Sequence, residues 1–138
     1  AVHAVARLHL ESLPHRDALR AAGCADRSLA KLKAGVPRLL RESLELERLT
    51  LEERAGLLAL EPGLLAQLDE LAAFGLPETL VHGDLHFGNV VHDVVHDGER
   101  LTFFDWTDAC LSHPFFDLAN LDVYDPAPEE WLTWRDTY

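Results

Sequence analysis

The chain is short of positive charge, of cysteine and of long apolar runs, and each shortage closes a class of function. Its 12 bases stand against 24 acids, for a formal net charge of −12, and Lys31 and Lys33 are its only lysines. Free nucleic acid demands clustered Lys and Arg along its phosphates, so it is not an expected partner. The only cysteines, Cys24 and Cys110, form no C-x-x-C, and nothing suggests secretion. Cys110 sits in an apolar stretch and reads as a small buried hydrophobe. No apolar run approaches membrane-spanning length and no charged-then-apolar leader opens the chain, so no membrane partner is expected and a reducing cytoplasm is the expected setting.

What is present is a globular composition: 138 residues, 48% of them hydrophobic. That length suits one domain with its own core, and residues 1–138 are expected to form a single domain. The acid surplus favours a cationic partner through long-range attraction, although it equally serves solubility. Ala1 lies inside a helical pattern and Tyr138 closely follows another, so both ends read as cuts in a longer polypeptide.

Helices are expected through residues 1–75. Val2, Val5, Leu8 and Leu10 mark a first helix running to about Leu13, where Pro14 interrupts. Short helices are expected around Gly23 and Gly35, with Pro37 in a first helical turn before the amphipathic run of Leu39, Leu40, Leu44 and Leu46. Thr50-Leu51-Glu52-Glu53 is a capping box, because the Thr oxygen and the Glu three residues on satisfy opposite backbone donors. Pro62-Gly63 breaks the helix that follows. Leu64, Leu65, Leu68, Leu71 and Ala72 form another, expected to contribute core and to stop at Gly75. Residues 107–138 read as a helical tail, with a break at Pro126 and Pro128 and a helix carrying Trp131 and Trp134 after Glu129. His3, His9 and His15 are expected to be surface or boundary residues.

Residues 76–106 carry the chemistry. Leu80 and Val81 precede a polar stretch whose Gly83 and Gly88 permit turns that a side chain would hinder. Val90, Val91, Val94 and Val95 signal a strand. His96-Asp97-Gly98-Glu99 centres on Asp-Gly, the preferred pair for a tight hairpin turn, and Leu101 to Phe104 returns as the second strand. A hairpin sets its two open ends side by side, so Asn89 and Asp105, sixteen positions apart, are expected to converge. Two oxygen ligands on such a frame suit Mg²⁺, which takes few protein oxygens. Asp84, five residues before Asn89, could then reach a hydroxyl beside a transferring phosphoryl group.

His82-Gly83-Asp84-Leu85-His86-Phe87-Gly88-Asn89 resembles the H-G-D-x-x-x-x-N catalytic loop of the aminoglycoside phosphotransferase and choline kinase-like family, a distant relative of the protein-kinase H-R-D-x-x-x-x-N. Phe104-Asp105-Trp106 is similar to that family's I-D-W run. Pro114-Phe115-Phe116-Asp117-Leu118-Ala119 is similar to its P-x-x-D-L-A, and Val5-Ala6-Arg7-Leu8-His9 to its L-A-x-L-H helix. The four motifs come in the family's order. The resemblance implies a mainly α fold with a small β-hairpin (α+β), the helical C-terminal lobe of a protein-kinase-like fold without its N-terminal nucleotide lobe. It implies Asp84 as the catalytic residue that orients a substrate hydroxyl and takes its proton. Asn89 and Asp105 would hold the metal, and His82 and Asp117 would brace the loop. Asp117 also reads as an ordinary first-turn acid of a helix. The implied cofactors are Mg²⁺ and ATP or GTP, and the implied partner is a small molecule, for instance a cationic aminoglycoside, amino alcohol or sugar.

Such an enzyme also needs a phosphate-covering loop and a strand-borne lysine. Lys31 and Lys33 lie instead in the helical half, so the isolated chain is expected to bind nucleotide weakly and turn over slowly or not at all. Two other readings stay open. One is a non-catalytic helical binding or scaffold domain derived from the same fold. The other is a metal-dependent hydrolase in which the alternating His82, Asp84 and His86 share a strand face and His92 or His96 completes a zinc site.

Overall fold

The computed structural model describes residues 2–95 and 98–121, which form an α+β arrangement of helices with two small sheets. By internal contacts the chain divides into two compact units, Ala1–Asp26 with Pro77–Tyr138, and Arg27–Leu76.

The first unit opens with α1 (Val2–Ser12), a 3-10 turn (Leu13–His15) and α2 (Arg16–Ala21), which ends at Gly23 with φ 93°. Pro14 therefore tightens the chain into a 3-10 turn, and helix resumes after it. Three very short strands follow from distant parts of the sequence: β1 (Ala25–Asp26), β2 (Thr79–Val81) and, after the hairpin, β5 (Cys110–Ser112). The last is central, pairing parallel with β1 and antiparallel with β2, with Leu80 opposite Leu111. Strands at 25–26 and 110–112 depart from the expectation of helix alone on either side of the hairpin, because two or three residues are too few to show strand alternation.

The hairpin pairs β3 (Val90–Val95) with β4 (Gly98–Phe103) in antiparallel register, from Val90 opposite Phe103 to Val95 opposite Gly98. Gly98 is already paired with Val95, and His96 and Asp97, on which the expected Asp-Gly turn falls, lie outside the described residues. Helix α6 (Phe115–Leu121) is the last described element, so the expectations on Pro126, Pro128, Glu129, Trp131 and Trp134 also fall outside.

The core of this unit joins Val2 and Val5 of α1, Leu85 of the loop after β2, and Leu118 of α6, with Val90, Phe103 and Phe115 packed against them. Leu85 is 1% exposed. Burying a leucine contributes about 1.5–3 kcal/mol, enough to pin the loop on either side of it.

The second unit is helical: α3 (Leu29–Glu42), a 3-10 turn (Leu44–Arg48), α4 (Leu51–Ala59) and α5 (Glu61–Ala73). Pro37 lies inside α3 rather than at its start. The helix formers from Ala30 to Ala34 carry the segment past it, and the Arg41 guanidinium donates to the Pro37 carbonyl at 3.1 Å. The capping box forms: the Glu53 N–H donates to Thr50 Oγ1 at 3.2 Å and the Thr50 N–H to Glu53 Oε2 at 2.8 Å. Pro62 sits in the first turn of α5, and the chain leaves that helix through Gly75 at φ 68°. The leucines do not make the expected closed core, since no residue of α3, α4 or α5 is fully buried. Three helices in a segment of this length enclose too little volume. Ion pairs Lys33–Asp69 and Arg41–Glu61 tie α3 to α5 across that open face.

Candidate active site

Val81 ends β2, and the next eight residues form a compact loop held from both sides. Asp117, in the first turn of α6 and 0% exposed, is the deepest hold. Its Oδ2 accepts from the His82 backbone N–H at 2.9 Å and its Oδ1 from the Gly83 N–H at 3.0 Å. The His9 Nε2–H donates to the same Oδ2 at 2.9 Å. One carboxylate thus receives donors from α1 and from two consecutive loop amides. Hydrogen bonds to an ionised acceptor are the strong kind.

His82 is 1% exposed and works in the other direction. Its Nε2–H donates to the Phe104 carbonyl at 2.9 Å, and its ring lies 4.6 Å from that of Trp106. Asp105, directly after that carbonyl, has φ 60°. This left-handed conformation is uncommon outside glycine, and aspartate is among the residues that tolerate it. Thr107 Oγ1–H donates to Asp105 Oδ1 at 2.8 Å, and Trp106 Nε1–H donates to the Phe103 carbonyl at 3.0 Å. Gly83, at φ 83°, lies so close to this segment that a Cβ there would collide with the Asp108 carbonyl. Positive φ and close approach both demand glycine at position 83.

Asp84 and Asn89 meet directly. Asn89 Nδ2 donates to the Asp84 carbonyl at 2.9 Å and to Asp84 Oδ2 at 3.2 Å. With its nitrogen so used, the Asn89 side chain presents Oδ1 as its oxygen donor. Its own backbone carbonyl accepts from the Phe104 N–H at 3.1 Å, so Asp105 stands one residue beyond the pair that closes the open end of the hairpin. Asp84 keeps an exposed carboxylate while Asn89 is buried.

The set fits Mg²⁺ chemically: an amide oxygen and a carboxylate at one end of a hairpin are hard donors, few in number, with room for phosphate and water. It does not fit the zinc alternative. The stretch after Val81 is loop and not strand, and His82 is turned to Phe104. Among the described residues no three His, Cys, Asp or Glu gather to hold an ion. His96 lies outside those residues.

His9 and Ser12 are the residues sequence reasoning missed. His9 is 3% exposed and not a boundary residue. Ser12 Oγ–H donates to the His9 carbonyl at 2.7 Å and accepts from the Leu80 N–H at 3.0 Å, tying α1 to β2. The available signal was spacing: Val2, Val5, His9 and Ser12 are the buried face of α1, a helical stripe whose second half is polar. His113, between β5 and α6, is also buried, and burial pushes its imidazole below the ordinary value, with Glu78 opposing.

A family model described as the phosphotransferase enzyme family, APH, matches residues 1–137. No curated protein and no solved structure matches the chain.

Proposed function

The chain belongs to the phosphotransferase enzyme family, and from that premise we propose that it transfers the terminal phosphoryl group of ATP or GTP to a hydroxyl of a small molecule, on the helical C-terminal lobe of a kinase-like fold. The observation that carries this reading is the Asp84–Asn89 contact, an exposed carboxylate oriented by the amide nitrogen of Asn89. A hydroxyl lying against Asp84 gives up its proton to the carboxylate as its oxygen bonds to the terminal phosphorus, while the bond from that phosphorus to the bridging oxygen breaks and the nucleoside diphosphate leaves. Asn89 and Asp105 would hold Mg²⁺, which supplies charge neutralisation for the phosphates when bound. His82 and Asp117 act through backbone groups, keeping the loop and the Asp105 segment in register. The protein's part in the rate is positioning and a fixed electrostatic environment. A net charge of −12 favours a cationic acceptor such as an amino alcohol, amino sugar or aminoglycoside. A cytoplasmic setting, where nucleoside triphosphates abound, goes with this reading, as does residues 1–138 serving as one catalytic-lobe domain.

The two lysines favour a second reading. Both lie in α3, and Lys33 is paired with Asp69, so neither is a strand-borne partner for phosphates. A non-catalytic binding module would look the same here. The purified 138-residue chain, with Mg²⁺, nucleotide and a panel of amino alcohols, amino sugars and aminoglycosides, separates the two. Slow Mg²⁺-dependent product that disappears in Asp84→Asn supports transfer, and equal turnover by both forms removes Asp84 from the chemistry. Panel binding that neither Mg²⁺-nucleotide nor Asp84→Asn alters favours the module.

A further inference from the structure

We infer that His86 is a positioning residue for Asp84, and that Gly88 is glycine to make room for it; the first half rests on the reading of Asp84 as the base. Three observations converge. The Gly88 N–H donates to His86 Nδ1 at 3.0 Å. A ring nitrogen that accepts carries no proton, so the neutral imidazole has its hydrogen on Nε2. That Nε2 lies 3.6 Å from Asp84 Oδ2, the same oxygen that receives the Asn89 amide. The distance exceeds a formed hydrogen bond and is an electrostatic contact that a small ring rotation would close.

Gly88 supplies the third observation. Unlike Gly83, it has no positive φ, so its backbone conformation is open to any residue. A Cβ at this position would instead stand 2.6 Å from His86 Cε1 and 2.8 Å from Nδ1. The Nδ1–Cε1 edge of the imidazole lies against the backbone at 88, and a side chain there would require the ring to shift. The glycine that reads from sequence as a turn former is a seat for the ring.

The consequence is directional. Asp84 is half exposed and its neighbour Leu85 is fully buried, so packing fixes the backbone but leaves the carboxylate free to rotate. His86 and Asn89 hold one oxygen, Oδ2, from two sides, which turns Oδ1 toward an incoming hydroxyl. Nδ1 is taken by the Gly88 amide, so the ring has no lone pair facing Asp84. It can orient the carboxylate but cannot relay its proton.

The test is nuclear magnetic resonance on the full ¹⁵N,¹³C-labelled chain at one neutral pH, with the His86 tautomer and the Asp84 carboxyl carbon as readouts. The expected result is a single Nε2–H tautomer. The Asp84 resonance should move in His86→Ala and return in His86→Gln, whose amide nitrogen reaches the place of Nε2. Gly88→Ala should give mixed tautomers and the same Asp84 displacement. Mixed tautomers in the unsubstituted chain, or an Asp84 resonance indifferent to His86→Ala, overturn the inference. Neither readout needs turnover, so equal turnover by the parent and Asp84→Asn would remove Asp84 from the chemistry and leave the His86 geometry standing or falling by itself. Where turnover is measurable, His86→Ala should lower kcat about tenfold with the nucleotide KM unchanged, and Gln should restore it.

Discussion

His9 and Asp117 stand 108 positions apart and meet at 2.9 Å, their side chains 4% and 0% exposed. The contact is no surface ion pair. The aspartate also holds two backbone amides of the loop that carries Asp84, so α1, that loop and α6 share one carboxylate. A displacement of α1 is therefore felt at the loop through a single side chain.

Removing that carboxylate should be among the most damaging single changes. Asp117→Ala removes the ionised acceptor shared by the His82 and Gly83 amides and the His9 ring, and is expected to cost roughly 3–5 kcal/mol. Asp117→Asn keeps the volume but turns one acceptor into a donor, at about 1–3 kcal/mol. Urea unfolding of both variants gives the comparison; an asparagine variant as stable as the parent would show that the loop stands without the charge.

Glycines should divide by environment. Gly83→Ala must hold a side chain at positive φ against the Asp108 carbonyl and should lose upwards of about 2 kcal/mol. Gly56→Ala lies within α4 with nothing within 4 Å of the new methyl, and should gain roughly 0.5–1 kcal/mol from helix propensity. Opposite signs in thermal unfolding are the expected pattern.

The capping box of α4 carries a pH signature. Hydrogen bonds from the Thr50 backbone and then its hydroxyl hold the Glu53 carboxyl below the usual 4.5. A folded-state value that is depressed means the contribution is complete above pH 4.5 and is lost as pH falls through the lowered value. Thr50→Ala should cost about 1 kcal/mol near neutrality. Circular dichroism in acid should show the gap between variant and parent narrowing, and a gap of constant size would disprove the coupling.

His113 should add an acid sensitivity at higher pH. Burial, opposed by Glu78, holds its imidazole below the usual 6.5, so the folded state favours the neutral ring. The unfolded chain then binds the extra proton first. Stability is complete above pH 6.5 and declines as pH falls from there through the lowered folded value. His113→Gln should flatten that slope in urea midpoints measured across the range; an unchanged slope would assign it to another group.

Local chemistry made part of this legible. The valines at 90–95 announced a strand, and Thr50 with Glu53 announced a helix start, because each signal spans only a few residues. Asp84 and Asn89 stand five positions apart in one loop, but the hydrogen bond between them was not among the expectations. What the sequence hid is long-range. Strands of two or three residues have no periodicity to detect, and β1 exists only because β5 arrives beside it. His9 looked like a boundary residue because the partner that makes its burial tolerable sits in another helix. Pro37 looked like a helix start because its local bias is strong, while the residues before it were already helical.

The interleaving of the two units sets an order in time. Residues 27–76 make a compact unit from one continuous segment, so it can form as it leaves the ribosome. The other unit must wait. Ala25 finds Cys110 only after that segment and the hairpin have been spanned, a closure of roughly 85 residues that costs on the order of 4 kcal/mol of chain entropy. Until Leu80 and then Asp117 are synthesised, the stripe of Val2, Val5, His9 and Ser12 has nothing to pack against. The nascent chain thus carries a half-polar, unmatched helix face until residue 117 is made, and the residue that finally satisfies it is the same one that sets the loop bearing Asp84.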